Sequence, residues 1–581
     1  MTQILGTILL AVSLYGYMQF FSKKIKPEFA LGFIFASIGS IMFFAGILNI
    51  LPLAAYTITA VGCAFAALSV KDFKNSVLRI ITPGTVFFAV VSVFLVFASF
   101  GSYFEGGDAY THWGTVTKVL IDYDRLPTSA NYNITFPSYP TGTASFIYFF
   151  CKMLHADSEW FIILVQSVLT LALFIPLFAF AKSKTSQFIT AVVVTTLLCT
   201  NEPLRFIVVD NLLAAITVCA IAICIYYHDQ LAEKFIYILP FSIFLISVKN
   251  SGVLFAIVIA VYYFLYSAKN KENLVKTAIF AVAPLVTLKL WQAHVNLLFP
   301  TGLLDSHHAM SKARYSNLFE EKIQLGLMRP IVERFFHNVF SFKNPFIYIL
   351  LAVIIIIVYS HISEKKFNKS FFRLSLFCFA VYLVYQIGLL GTYICSMPAA
   401  EIQVSLNPVY GAYHLPSFER YHLTAIAFIC CILYIGMLCY VNFSKDSTKS
   451  KLKNYAAIII FTAAIILSCQ PNLSYLKKQD PAAVADFTEY CAFIDELGIP
   501  KRKSYLMLGR QDSYMLFFTK YYLDPTDCRT WFVETLKENE YYIDVAEYLV
   551  LCDTSPETIE YVSQLLGAEI TERVIYLPAY R

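Results

Sequence analysis

The chain has 581 residues, of which 58% are hydrophobic and 14% are charged, whereas a soluble globular protein carries about 25% charged residues. This composition excludes a soluble protein with one core and indicates a chain that crosses a membrane many times. The net charge is +5, and the basic residues cluster in short loops. Such clustering indicates membrane topology, and we predict no nucleic-acid partner.

The apolar segments predict an all-α polytopic fold. A spanning helix needs roughly 20 mostly apolar residues. About 13–14 transmembrane helices are predicted, at 4–21, 29–49, 51–70, 81–101, 159–181, 186–204, 210–227, 235–249, 251–267, 277–298, 346–361, 371–394, 421–441 and 455–470. The apolar segment 141–152 is shorter and is predicted as a re-entrant or interfacial helix.

Basic connections orient these helices. The positive-inside rule places Lys- and Arg-rich loops in the cytoplasm, which here applies to 23–26, 71–79, 182–184, 269–276, 365–369 and 445–453. Every second connection is then external, without a conflict of parity if 141–152 does not cross. The external loops 101–140, 299–345 and 395–420 therefore lie on one side of the membrane.

The first external loop holds the strongest candidate for a reaction centre. Asp108 follows an apolar run and two glycines, and Glu105, His112 and Trp113 lie within five residues of it. A carboxylate at a membrane edge is costly because the low dielectric nearby opposes its charge. We therefore interpret Asp108 as functional and the three neighbours as supporting or substrate-contacting residues.

A rigid elbow follows in the same loop. Pro137, Tyr139, Pro140 and Gly142 lie in the segment Phe-Pro-Ser-Tyr-Pro-Thr-Gly, and the prolines fix φ and remove backbone donors. The elbow returns the chain to the membrane, and it is also suited to hold Tyr139 beside the Asp108 loop.

Three later segments place polar residues at predicted external helix ends. These are Val-Asp-Asn-Leu-Leu around Asp210, Val-Lys-Asn-Ser-Gly around Lys249, and Phe-Glu-Arg-Tyr, which contains Arg420 and Tyr421. Together with the acidic loop and the elbow, they make residues 81–440 similar to the GT-C glycosyltransferases. The chain differs from that family in two respects. It has Tyr139, Pro140 and Thr141 where the family often has Tyr-Pro-Pro, and it has about three extra helices before the core.

The resemblance implies a multispanning enzyme that takes a sugar from a polyprenyl-phosphate donor. It implies Asp108 as general base, Arg420 and Lys249 as ligands of the donor phosphate, and Asp210, Tyr139 and Tyr421 as further site residues. The physical chemistry agrees, because glycosyl transfer needs a base for the acceptor hydroxyl and cations for the leaving phosphate. The expected acceptor is a cell-surface glycan, lipid or protein.

The loop 299–345 adds His307 and His308 as candidate contacts of donor or acceptor. Adjacent histidines do not share one helical face, so a two-ligand metal site is disfavoured. No cofactor is assigned, and a divalent cation is left open. Arg314, Arg329 and Arg334 in the same loop keep a surface-polysaccharide polymerase or ligase as an alternative.

A lipid-linked glycan flippase or transporter is a second alternative. Such proteins need polar groups at mid-membrane depth, whereas the charged groups here gather on one side. The composition suits a bacterial plasma membrane, with the active site outside the cytoplasm.

The sequence divides into three predicted parts. Residues 1–80 are N-terminal extra transmembrane helices, 81–470 form the GT-C-like catalytic core, and 471–581 form a small extracytoplasmic α/β domain. In the last part, apolar strand candidates at 504–508, 548–552 and 574–577 alternate with helices at 512–522 and 556–566. This domain is interpreted as a lid or an acceptor-binding module.

Overall fold

The computed structural model describes residues 2–70, 73–130, 134, 136–200, 204–267, 271–299, 312–341, 344–364, 369–407, 415–443, 448–500, 503–509, 513–523, 530–537 and 540–580. His307 and His308 lie outside these residues.

The part before residue 470 is helical. Its first half contains α1 (Thr2–Phe21), α2 (Pro27–Ile47), α3 (Leu51–Ser69), α4 (Phe73–Ile80), α5 (Pro83–Ser99), α6 (Gly114–Tyr123), α7 (Gly142–Leu154), α8 (Glu159–Phe174), α9 (Lys184–Leu198), α10 (Asp210–Tyr226), α11 (Leu231–Lys234), α12 (Leu239–Val248), α13 (Gly252–Ser267) and α14 (Lys271–Leu298). Its second half contains α15 (Lys312–Gln324), α16 (Met328–Phe340), α17 (Phe346–Glu364), α18 (Lys369–Cys395), α19 (Ala399–Leu406), α20 (Phe418–Phe443) and α21 (Thr448–Cys469).

These helices confirm a polytopic membrane protein. Within the described residues, 7 helices are long and apolar enough to cross a membrane, or up to 9 if each of two bent helix pairs is one span. The bent pairs are Phe73–Ile80 with Pro83–Ser99 and Asp210–Tyr226 with His228–Tyr237. Shorter apolar helices occupy most of the other predicted segments. The 7 to 9 spans are identified by helix length and composition only. The predicted number of 13–14 crossings therefore stays a prediction.

A central group of helices is shielded on all sides. The span Glu159–Phe180 is 94% buried, whereas Gln3–Phe21 and Leu274–Leu298 are each 28% buried. Helix α10 packs against α8, α12, α13 and α20. A helix that is apolar all round is stable only when other apolar material covers it. For the outer helices, lipid is that material.

Two segments pack more deeply than the sequence indicates. Helix α2, from the predicted N-terminal part, is 78% buried and packs against α7, α8 and α12. Helix α7, predicted as re-entrant or interfacial, is buried along most of its length against α2 and α8. Its 13 residues extend about 20 Å at 1.5 Å per residue, which is too short for a full crossing.

The C-terminal part forms a small α/β unit. It contains α22 (Pro481–Glu496), α23 (Ser513–Tyr522), α24 (Tyr541–Val545) and α25 (Pro556–Leu566), with strands β1 (Tyr505–Leu508), β2 (Thr530–Val533), β3 (Tyr548–Leu551) and β4 (Val574–Tyr576). The strand order is β2-β1-β3-β4, with β1 parallel to β2 and β3, and β4 antiparallel to β3. Three strands match the predicted ones, and β2 was not predicted.

Candidate functional site

Four segments that are distant in sequence meet at one cavity, which we call the Asp108 cavity. Its volume is about 180 Å³. Its lining residues are Asp108, Trp113, Phe136, Tyr139, Val208, Asp210, Lys249, Met397, Glu401, Ser417, Arg420 and Tyr421. Asp108 and Arg420, which are 312 positions apart in the chain, thus line the same cavity.

Helix boundaries position the charged residues of the cavity. Asp210 is the first residue of α10, Lys249 follows α12 in an extended conformation, and Arg420 lies in the first turn of α20.

Asp108 precedes a π-helical turn at Ala109–Trp113. The chain reaches it through Gly106, whose φ of +82° brings the backbone against the Phe206 ring. A side chain at Gly106 would be strained at this φ and would meet that ring.

The four charges form one connected network. Lys249 Nζ lies 2.8 Å from Asp210 Oδ1, and Arg420 Nε lies 3.4 Å from Asp210 Oδ2. On its other side, Arg420 Nη1 donates to Asp108 Oδ2 at 3.1 Å. The Asp108 side chain is 43% exposed, against 6% for Asp210. Asp210 is therefore the buried anchor of the two cations, and Asp108 is the carboxylate that a substrate can reach.

Aromatic rings cover one wall of the cavity. Tyr139 stacks on Trp113 with ring centroids 5.8 Å apart, and the buried ring of His112 contacts both edge-on. Lys249 Nζ lies 5.9 Å from the Tyr139 ring centroid and 5.2 Å from that of Tyr421. Burial raises the pKa of Tyr139 well above its ordinary value, and Tyr421, Asp210 and Asp108 add to this effect. Its hydroxyl therefore stays protonated and able to donate a hydrogen bond.

The other predicted site residues are set differently. His112 lies behind Trp113 and Tyr139 and is 2% exposed. Glu105 does not line the cavity; its Oε1 lies 2.5 Å from Arg205 Nε and accepts a hydrogen bond from Gln479 Nε2 at 3.3 Å. Among the residues that the structure describes, no group of three or more His, Cys, Asp or Glu side chains is placed to hold a metal ion.

Glu401 is a cavity residue that sequence reasoning missed. It lies on the short helix α19, inside the predicted external loop 395–420. Glu401 is an exposed residue, but its carboxyl is partly shielded from water, which raises the pKa of Glu401; the charge of Asp108 raises it further, whereas Arg420 lowers it. The sequence signal was weak, because one acid in a loop is ordinary until the packing of α19 fixes where it points.

A second cavity, which we call the Arg334 cavity, adjoins the Asp108 cavity at Arg420. It has a volume of about 510 Å³ and shares Arg420 and Ser417 with the Asp108 cavity. Arg334, His337, Asn338, Glu419 and Gln470 contribute polar atoms to its wall. Arg420 therefore borders two neighbouring spaces.

The C-terminal domain packs directly on the Asp108 loop. The Tyr110 ring contacts Phe518 and Tyr521 of α23 at centroid distances of 5.3 and 5.4 Å. Lys118 Nζ donates to the Tyr521 carbonyl oxygen at 2.6 Å. Gln479 Oε1 accepts from the Tyr103 amide at 2.8 Å. These contacts hold both flanks of Asp108 against the end of the chain.

A Gln479→Ala variant tests this support. Gln479 also donates to the Glu105 side chain, so its loss removes a partner from the Tyr103 amide and another from the Glu105 carboxylate, both close to Asp108 in the chain. We expect kcat to fall roughly 10-fold with little change in the KM for donor, since small misplacements of a reacting group are costly. Steady-state kinetics of the transfer proposed below check this, with the adjacent exposed Lys478→Ala as control. A rise in donor KM with unchanged kcat would contradict a positioning role.

Comparisons with known proteins give one solved structure. No protein-family model matches the chain, and no curated protein matches it. The crystal structure of ArnT from Cupriavidus metallidurans bound to undecaprenyl phosphate matches with 14% sequence identity and a TM-score of 0.39, covering 85% of this chain and 96% of that chain.

Proposed function

We propose that this chain is a membrane glycosyltransferase of the GT-C type, which transfers a sugar from a polyprenyl-phosphate donor to a cell-surface glycan, lipid or protein. One observation carries the proposal: Asp108, Asp210, Lys249 and Arg420, all singled out from sequence, line a single cavity. The proposal places this cavity and the C-terminal domain outside the cytoplasm, in a bacterial plasma membrane.

The proposed reaction joins two substrates at the anomeric carbon. The acceptor oxygen forms a bond to this carbon as the bond from the carbon to the phosphate oxygen of the donor breaks. The bonding electrons leave with the polyprenyl phosphate, and the hydroxyl proton passes to a cavity carboxylate. In this proposal Asp108 takes that proton, because it is the exposed carboxylate of the charged network.

Arg420 and Lys249 stabilise the leaving phosphate in this proposal. A guanidinium offers two parallel N–H donors to a phosphate, and Arg420 is positioned between Asp108 and Asp210. Lys249 adds a second positive charge beside the Asp210 carboxylate. Preformed charges of this kind act strongly because they need no reorganisation when the phosphate develops its charge.

The placement of the basic loops supports the orientation. Lys234 Nζ donates to the Lys24 carbonyl oxygen, and Lys276 Nζ donates to that of Ala232. Lys24 and Lys276, which belong to two of the basic connections, thus lie near the chain reversal after α10, whereas Asp210 is at the opposite end of that helix. Positive residues at one end and the cavity at the other fit the topology predicted by the positive-inside rule.

An Arg420→Lys variant tests the phosphate role. Lysine keeps the charge but cannot bridge two oxygens, so we expect kcat/KM for the donor to fall at least about 10-fold. The assay follows release of polyprenyl phosphate by purified protein in detergent, supplied with polyprenyl-phospho-sugar and candidate acceptors. The matched control is Arg329→Lys, because Arg329 is 86% exposed and pairs with the exposed Glu333.

The same assay separates the alternatives. A flippase would give no donor turnover in detergent, where no membrane gradient exists. A polymerase or ligase that depends on the arginines of 299–345 would lose activity in Arg334→Lys and keep it in Arg420→Lys. Turnover that needs Arg420 supports the glycosyltransferase.

A further inference from the structure

The chain from Phe104 to Gly114 folds back on itself, with Asp108 between its two ends. The Phe104 ring is 0% exposed and lies 5.6 Å from the Tyr110 ring, and it leaves no room for a side chain at Gly114. The Tyr110 hydroxyl also lies 3.1 Å from the Phe104 carbonyl oxygen. We call Phe104, Tyr110 and Gly114 the Phe104 clamp. Because the clamp joins the chain before Asp108 to the chain after it, the position of the clamp determines where Asp108 lies.

A single carboxyl oxygen from α8 binds both sides of this clamp. Glu159 Oε2 accepts a hydrogen bond from the Phe104 amide at 2.6 Å. It also lies 3.1 Å from the Tyr110 hydroxyl, which shares its one proton between Glu159 and the Phe104 carbonyl oxygen. Phe104 precedes Asp108 in the chain and Tyr110 follows it. Glu159 therefore contacts both flanks of the proposed base.

Helix α8 gives Glu159 a fixed position. Glu159 is the first residue of this helix, and the span Glu159–Phe180 is 94% buried. The next residue, Trp160, contacts Phe100 at the end of α5, with ring centroids 5.1 Å apart. Close packing on every side allows a helix little movement. The carboxyl oxygen of Glu159 therefore connects the Phe104 clamp to the membrane core.

The Glu159 carboxyl serves the clamp and not its own helix. An acid in the first turn of a helix can stabilise the amides at that end. Here the two hydrogen bonds of Glu159 Oε2 go to residues 55 and 49 positions away. Within the described part of α8, the N-cap residue Ser158 makes no side-chain capping bond either. The acid is thus committed to the loop that carries Asp108.

The cations of the cavity are held by a different element. Asp210, the first residue of α10, lies 2.8 Å from Lys249 Nζ and 3.4 Å from Arg420 Nε. These two ion pairs do not involve the Phe104 clamp. A displacement of Asp108 would therefore leave the proposed phosphate ligands in place, so that binding of the donor and the chemical step can be separated by experiment.

We propose that Glu159 is a positioning residue, which holds Asp108 within reach of the acceptor hydroxyl by binding the Phe104 amide and the Tyr110 hydroxyl. This inference rests on the proposed function, in which Asp108 is the general base. A base must come within about 2.6–3.2 Å of the proton that it removes, so a loop released at its clamp loses that geometry. Glu159 itself touches no substrate in this proposal.

Two substitutions of Glu159 test the hydrogen bonds in the full-length protein. We expect Glu159→Ala to lower kcat about 10- to 100-fold, with an unchanged KM for the donor and an unchanged Kd for polyprenyl monophosphate measured by calorimetry. Glu159→Gln keeps an acceptor oxygen and should keep most of the wild-type kcat. Glu489→Ala, at an exposed position of α22, is the control. Wild-type kcat in Glu159→Ala, or an equal loss in Glu159→Gln, would overturn the inference. A wild type without donor turnover would instead remove the proposed function.

A double variant distinguishes positioning from general damage to the fold. If Glu159 acts through Asp108, its loss matters little once the base is gone, so Asp108→Asn/Glu159→Ala should be within about 3-fold of Asp108→Asn. A fold defect would lower kcat by the same factor in both backgrounds, and that result would overturn the inference. If Glu159→Ala does not fold, Tyr110→Phe replaces it in both measurements, because it removes the hydroxyl and keeps the ring against Phe518. We expect Tyr110→Phe to lower kcat at an unchanged Kd for polyprenyl monophosphate, and wild-type kcat there would equally overturn the inference.

Discussion

An Asp108→Asn variant is expected to lose between about 10² and 10⁴ in kcat, the range that a positioned general base contributes. Asparagine preserves the shape of the side chain but cannot accept a proton. It also removes the ion pair with Arg420 at 3.1 Å, which leaves the guanidinium more available to a phosphate. We therefore expect the KM for the donor to stay unchanged or to fall, so that the loss is confined to the chemical step.

The measurement is donor turnover by the purified variant over a range of donor concentrations. Asp486→Asn supplies the matched control, because this carboxylate is exposed on α22 and does not line the cavity. Wild-type turnover in Asp108→Asn would remove Asp108 from the reaction. A raised KM at unchanged kcat would instead assign it to donor binding.

An Asp210→Asn variant is expected to lose both activity and stability. The Asp210 side chain is 6% exposed and holds Lys249 at 2.8 Å and Arg420 at 3.4 Å. Breaking a buried ion pair by removing one partner typically costs about 3–5 kcal/mol, because the other charge remains buried without compensation. We expect a lower thermal unfolding temperature in detergent, a lower yield in the membrane and almost no turnover.

A double variant separates these two effects. In Asp210→Asn/Lys249→Met the uncompensated ammonium is gone, so part of the lost stability should return. Turnover should not return, because Lys249 is then absent from the phosphate site. If Asp210→Asn unfolds at the wild-type temperature, the buried network does not support the fold in the manner we describe.

The sequence predicted the helices well, because the cost of burying a backbone in lipid leaves long apolar runs few alternatives. Segments such as Pro27–Ile47 and Phe418–Cys439 agree with their predicted ranges within a few residues. Packing depth was harder to predict. Apolar side chains suit lipid and protein interior equally, so nothing in the sequence of α2 distinguishes an added peripheral helix from one that the core encloses.

In the C-terminal domain the prediction succeeded where local signals were strong. Ser555 caps α25 by accepting from the Thr558 amide, and Pro556 begins that helix, as the sequence indicates. Strand β2 (Thr530–Val533) is as long as β1 and β3, so its length does not explain why it was missed, and it has no flanking signal of comparable strength. Its pairing with β1 depends on the sheet as a whole.

In the candidate site, too, some residues could be predicted from the sequence and others depend on tertiary packing. Asp108 was singled out as an acid at a predicted membrane edge, and Asp210, Lys249 and Arg420 were singled out through the resemblance to the GT-C glycosyltransferases. Three other features depend on tertiary contacts. Lys249 pairs with Asp210, Glu105 pairs with Arg205 outside the cavity, and Glu401 lines the cavity. Such contacts produce no repeating pattern in the sequence from which they could be predicted.

The hydrogen bond from Lys118 to the Tyr521 carbonyl oxygen can form only late in the synthesis of the chain. The two residues are 403 positions apart, and a ribosome adds roughly 5–20 residues each second. The loop that carries Asp108 thus waits for about 20–80 s of further synthesis before α23 exists to brace it. A chain that stops between Tyr421 and α23 would carry every residue that lines the Asp108 cavity and still lack the brace.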